Sequence, residues 1–429
     1  MKLAIVSLAL AASGCSKDTA VEDALQEEWR GTLPASIQLS SLEPWSDGGY
    51  AALGYESVDG KRSLMLATRD GTITWIDALP ANGPLTMAAD GEGHLYVSGT
   101  ISTATEFLGT TLSAASYPVK FVLKVDGDGK VLWSKLFDEG RTNNFVYDLA
   151  AGPEGVALAG TFTGGFSIDD RTLIPGQSTA TVALLVRLDP EGKVLVARSY
   201  VSTAAVAASL SRASDGDLFL GGTFTGVLTL GATPMASSSG AVFLARLAPD
   251  GTARWSRHFS GRGNVDIVPW EDGAALLMRA SFVDLGVGRW LTGQVAARTD
   301  VDGKVVWARQ LGSLLPNGGD RQGAVDARGN LFVGRSLEKP ELVDPYYPYP
   351  ATDTAVAREV VVLDRDGRLG GLLEIKPISA NDYPLSLEFG ANPDGSVLIG
   401  TSDSKSEATN YGTSVTTVIR RLRFGLAGE

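Results

Sequence analysis

One cysteine, Cys15, and two histidines, His94 and His258, are all that 429 residues offer of the common nitrogen and sulfur metal ligands. A lone cysteine forms no internal disulfide, and two histidines in unrelated contexts give no histidine-based metal site. Cations are also short. The chain has 37 Lys and Arg against 49 Asp and Glu, a formal net charge of -12. That balance is the reverse of a nucleic-acid-binding surface, so no nucleic-acid partner is expected. No G-x-S-x-G, phosphate-loop or HExxH motif occurs, and no motif asks for a cofactor. Long apolar runs are missing too. The run from Leu3 to Ala12 is too short to span a bilayer.

What is present points to β-structure. Hydrophobic residues make up 44% of the chain, enough for a true core. Its 51 glycines are about 12% of the total, against roughly 7% in average usage. Glycine in that excess, without a collagen period, marks many turns.

The chain opens MKLAIVSLALAASGCSKD. Lys2, the apolar run, then Ala12, Ser13 and Gly14 directly before Cys15 have the layout of an export signal. The segment resembles the lipobox of bacterial lipoproteins, with Ala12 where Leu is commoner. The resemblance implies a signal peptide over 1–14 and lipidation of Cys15. Several acyl chains, at about 0.8 kcal/mol per buried CH₂, would then hold the protein to the membrane. Ser16, rather than Asp, implies sorting to the outer membrane of a Gram-negative cell, with the occupied face left open. Polar, acidic residues up to 25 read as a tether, and 26–429 as the folded body.

A turn followed by an apolar run recurs along the body at Gly48, Gly93, Gly155, Gly216, Gly273, Gly329 and Gly395. The preceding residue is acidic in six of the seven, Arg328 being the exception. Such pairs before a β-type run mark hairpins. A second turn follows at Gly71, Gly129, Gly251 and Gly303, each with a tryptophan four residues on: Trp75, Trp133, Trp255 and Trp307. Val196 and Gly371 hold that slot in two other units. Each unit therefore reads as four strands, a to d, with the slot on strand d. Seven units predict an all-β, seven-bladed β-propeller of four-stranded blades. The last unit ends without strand d. Residues 26–33, carrying Trp29, match that strand and are predicted to complete the last blade and close the ring, leaving no free edge. GTFTG and VFLARLAPDGTARWSRHF are similar to the SBBP-type propeller repeats of bacterial lipoproteins. The G-K-x-x-W endings are similar to tryptophan-docking repeats of quinoprotein-type propellers.

Seven residues before the first glycine of each unit stand Ser41, Thr86, Asp148, Ser209, Asp266, Gln322 and Glu388, all polar. Strand alternation puts them on one face of the innermost strand, lining a central channel. They form either a cation or polar-ligand site or simply a solvated channel. Repeated cations mark strand c (Lys124, Arg187, Arg246, Arg298, Arg421) and strand d (Lys135, Arg198, Arg257, Arg309), and a structural role is expected of both sets. Asp126-Gly127-Asp128-Gly129, Asp300-Val301-Asp302-Gly303 and Asp364-Arg365-Asp366-Gly367 look like parts of a calcium loop. They lack its later oxygen ligands, and hairpin chemistry accounts for them. Residues 338–355, with Tyr346, Tyr347 and Tyr349, form a proline-stiffened aromatic loop. It either presents a recognition element or folds over its own blade. The leading functional expectation is a non-enzymatic, membrane-anchored scaffold for a protein partner in the envelope. A glycan or small-ligand binding module and a propeller enzyme of lyase, hydrolase or quinoprotein type are the alternatives.

Overall fold

The computed structural model describes residues 24–34, 37–45, 48–56, 62–79, 85–138, 144–173, 180–287, 290–312, 323–337, 357–375, 382–406 and 413–425. These are strands and turns, with no helix among them. Cys15, Gln322, Tyr346, Tyr347 and Tyr349 lie outside the described residues.

The chain runs from β1 (Ala24–Thr32) into seven successive sets of strands. The first set is β2 (Ile37–Pro44), β3 (Tyr50–Glu56), β4 (Arg62–Ala67) and β5 (Ile73–Leu79). The second holds β6 (Thr86–Ala89), β7 (His94–Ile101), a small ribbon of β8 (Thr105–Phe107) and β9 (Thr110–Leu112), then β10 (Val119–Asp126) and β11 (Val131–Phe137). The third holds β12 (Phe145–Gly152), β13 (Gly155–Thr163), a ribbon of β14 (Phe166–Ile168) and β15 (Arg171–Leu173), then β16 (Thr181–Leu188) and β17 (Val194–Arg212). There follow β18 (Leu218–Thr229), β19 (Met235–Leu247), β20 (Ala253–Trp270), β21 (Gly273–Asp284), β22 (Trp290–Thr299) and β23 (Val305–Gly312). The sixth set is β24 (Gly323–Val325), β25 (Leu331–Leu337), β26 (Ala357–Leu363) and β27 (Leu369–Ile375). The last has β28 (Asp382–Ala391), β29 (Val397–Ser406) and β30 (Thr413–Gly425).

All pairings are antiparallel. The third to fifth sets merge into one ten-stranded sheet. They do so because β17 and β20, at 19 and 18 residues, each end one set and begin the next. Val194 to Tyr200 pair with β16, and Val201 to Arg212 with β18. The seventh set takes its fourth strand from the other end of the chain: β1 pairs with β30, Ala24 opposite Gly425 and Thr32 opposite Val418. This strand starts two residues earlier than the sequence reading placed it, because Ala24 and Leu25 already pair with Gly425 and Phe424.

Burial follows the patterning. Inner strands such as β7, β10 and β13 are apolar runs covered on both faces, whereas the outer β11 alternates half-buried with exposed residues along most of its length. Among the described residues the core is partitioned into seven clusters, each lying between two consecutive sets. Leu53 and Leu123 belong to one, Leu185 and Phe243 to another. One cluster joins Leu39 and Met65 of the first set to Leu398 and Ile419 of the last. The first strands touch in order, β2 to β6, β12, β17, β20, β24 and β28, and β28 touches β2.

Candidate functional site

The innermost strands place five of the predicted polar residues together. Ser41, Thr86, Asp148, Ser209 and Asp266 line one cavity of about 60 Å³. Just before three of them the strand is bulged: the register skips Ser40, Tyr147 and Ala208. A bulge re-aims the residue that follows it, and here it turns Ser41, Asp148 and Ser209 toward the common space. Glu388 does not join them. It is fully buried opposite Gly400.

The polar atoms in this cavity act between strands. Asp148 Oδ2 accepts the backbone N–H of Leu210 in the next set at 2.7 Å, and its Oδ1 accepts that of Leu149 at 2.8 Å. Ser209 Oγ accepts the N–H of Ile267, again in the next set, at 3.0 Å, and lies 3.4 Å from Asp266 Oδ1. Innermost strands have one unpaired edge, and these side chains satisfy its donors. A larger cavity of about 290 Å³ adjoins the first and shares Asp148 and Asp266 with it. Every first strand contributes to its wall, through Glu43, Ala88, Ala150, Arg212, Ile267, Ala324 and Phe389 among others.

The tryptophan slot has a function the spacing did not reveal: it joins neighbouring sets. Trp133 Nε1 donates to Pro190 O at 2.8 Å, Trp255 Nε1 to Val301 O at 2.8 Å and Trp307 Nε1 to Arg365 O at 2.9 Å. Each acceptor lies in the outer turn of the following set, and the rings lie against Gly192, Gly303 and Gly367 there. Trp29 on β1 lies against Gly71 of the first set in the same way and packs 6.0 Å from Tyr50. The side chain of Trp75 lies outside the described residues. Where Val196 holds the slot, Tyr200 replaces the tryptophan. It is buried, and its hydroxyl donates to Gly251 O at 3.0 Å. Burial pushes its phenol pKa up. Sequence reasoning missed Tyr200 because it lies four residues beyond the slot.

Five of the predicted cations follow the same logic, whereas Arg246 pairs with Asp215 and Asp217 of its own set. Lys124 and Arg298 donate to Pro190 O and Arg365 O at 3.5 and 2.9 Å, and Arg187 donates to Pro249 O. Arg198 and Arg257 reach Gly251 O and Asp302 O at 3.3 and 3.1 Å. Arg298 also holds Asp272 at 2.6 Å, and that hydrogen bond is the first cause of the lowered Asp272 carboxyl pKa. In the three calcium-like segments, Asp126, Asp300 and Asp364 each accept two backbone N–H groups of their own turn. That is Asx-turn chemistry, and it accounts for the aspartates.

No family model and no curated protein matches the chain. Among solved structures, it is similar to the subtype N10 neuraminidase-like protein of A/little yellow-shouldered bat/Guatemala. The identity is 9% and the TM-score 0.41, over 92% of this chain and 98% of that one. It is similar to the parainfluenza virus 5 hemagglutinin-neuraminidase ectodomain at 8% identity and TM-score 0.43, over 94% and 85%. A Dyadobacter fermentans protein of unknown function gives 10% and 0.38, over 93% and 99%.

Proposed function

We propose that the chain is an outer-membrane lipoprotein, anchored through Cys15, whose body is a closed seven-bladed β-propeller serving as a non-enzymatic scaffold for an envelope protein. Closure is supported by the pairing of β1 with β30, the cluster joining Leu39 to Leu398, and Trp29 set against Gly71. The scaffold reading rests above all on one observation. The polar side chains at the centre are engaged with neighbouring strands, Asp148 with Leu210 N and Ser209 with Ile267 N. A catalytic centre needs titratable groups aimed at a reacting atom. Here they hold the fold. A small-ligand module is the second reading, favoured by the cavity of about 290 Å³ walled by every first strand.

Two experiments test the proposal. Cys15→Ser should move the protein from the membrane to the soluble fraction; retention in the membrane overturns the anchor. Affinity capture of the native protein from detergent-solubilised envelope should recover a stoichiometric protein partner, and recovery of none above background overturns the scaffold.

A further inference from the structure

Two of the junctions between sets share a donor pattern. Pro190 O accepts from both Trp133 Nε1 and Lys124 Nζ, and Arg365 O from both Trp307 Nε1 and Arg298 Nη1. One oxygen thus receives an indole N–H and a cation. Lys124 lies directly opposite Trp133 in register, and Arg298 opposite Trp307. In the seventh set Arg421 lies opposite Trp29, so the same donor pair is built at the seam between the chain ends and the first set.

The arginine there is different. Arg421 is 3% exposed, yet its Nε and Nη2 have no hydrogen-bond partner among the described residues. A buried guanidinium without an acceptor is costly, and native structures rarely keep one without a reason. Burial, and next the nearby Arg69, push its pKa below the ordinary arginine value. Arg421 lines an open cleft of about 1040 Å³ together with Trp29, the largely exposed Arg69, and the carboxylates Glu28 and Asp70. The charges of Asp394 and Glu28 act on Arg421 in the opposite direction, but the carboxylates around it make their hydrogen bonds and ion pairs elsewhere. Glu28 holds Arg423 at 2.5 Å, Asp394 pairs with Arg69 and Arg423 at 3.2 and 3.4 Å, and Asp70 accepts from Thr68 and Thr72. None of these pairs includes Arg421.

We propose that the seam cleft is a phosphate-binding site, with Arg421 as its buried anchor and Arg69 as its exposed arm. A phosphate oxygen would accept from the guanidinium as the turn carbonyl does at the other junctions, and its charge would offset that of the guanidinium. Guanidinium forks suit this recognition because they present parallel N–H donors to paired oxygens. The phosphate could belong to a soluble ester or to a phospholipid headgroup. The second source rests on the anchoring through Cys15 proposed above, whereas the site itself does not.

The test uses full-length protein carrying Cys15→Ser, so that binding is read without acyl chains. Inorganic phosphate at about ten times its Kd should raise Tm by about 1–3 °C over potassium chloride of matched ionic strength. Arg421→Met should abolish that rise while leaving the phosphate-free Tm equal or higher, because an unpartnered buried charge is removed. Arg69→Ala, at an exposed position where folding is not at stake, should weaken phosphate binding several-fold. A wild-type Tm that responds to phosphate no more than to chloride overturns the site. So does an Arg69→Ala protein with unchanged affinity, or a folded Arg421→Met protein that keeps the full rise. Vesicles then separate the sources. Cosedimentation with phosphatidylglycerol but not phosphatidylcholine, lost in Arg421→Met, supports the headgroup. A phosphate response without cosedimentation supports a soluble ester.

Discussion

Trp133 reaches out of its own sheet and donates its indole N–H to the carbonyl of Pro190, 2.8 Å away in the outer turn of the next. The same ring packs edge-on against Tyr96 within its own sheet, so a single side chain ties two sets together. Replacing it separates the two contributions. Trp133→Phe keeps most of the packing and loses the hydrogen bond, at a cost of about 1 kcal/mol. Trp133→Ala loses both, at a cost of about 3 kcal/mol. Urea denaturation midpoints should fall in that order. Equal losses would mean that the ring contributes nothing beyond its N–H.

A flat ring can lie on a turn only where the turn has no side chain. At Gly303 the backbone has φ +75°, and a Cβ would stand 2.5 Å from Trp255 Cζ3. Gly303→Ala therefore meets two penalties, a left-handed conformation unfavourable to alanine and a ring that must lift. The expected loss is about 2–3 kcal/mol, seen as a lower Tm. In the Trp255→Ala background the ring is gone, and the same substitution should cost about 1 kcal/mol. Additive losses in the double variant would show that ring and turn are uncoupled.

The repeat was legible because its glycines and tryptophans keep fixed offsets while the loops between them vary. Its exceptions become legible only in three dimensions. Gly371 holds the slot in the sixth set because a tryptophan there would need an outer turn in the seventh, and β30 and β1 are not joined by one; Gly425 and Ala24 simply face each other. Val196 is tolerated because Tyr200 reaches Gly251 from four residues further along the strand. At the centre, alternation placed Asp148 and Ser209 on the correct strand. The bulges at Tyr147 and Ala208 that aim them leave no trace in a single sequence. Glu388 shares their offset but is fully buried opposite Gly400 and lines neither cavity, a difference the shared offset does not show.

Asp148 offers a direct test of what the central residues do. Its carboxylate accepts two backbone N–H groups, and the one from Leu210 crosses to the next set. Asp148→Ala leaves those donors unsatisfied near the cavity, and the expected loss is about 2 kcal/mol in denaturant titration. Asp148→Asn retains an acceptor oxygen and should recover about half of it. If Asp148→Ala were as stable as the wild type, the residue would be free for ligand chemistry, and the scaffold reading would lose its main support.

Tyr50 connects the seam to pH. Burial pushes its phenol from the ordinary 10 up to about 12, beneath the Trp29 ring. The folded state therefore holds its proton more tightly than the unfolded chain. Below pH 10 both states are protonated, and the contribution is fully present. Between 10 and 12 the unfolded chain releases the proton first, and stability falls by about 1.4 kcal/mol per pH unit. Above 12 the contribution is gone. Tm measured from pH 8 to 12 should be level and then drop, and Tyr50→Phe should make that drop shallower. A residual slope is expected from Tyr96 and Tyr200, whose phenols burial also raises. An identical profile in Tyr50→Phe would show that the seam does not hold this phenol in its protonated form.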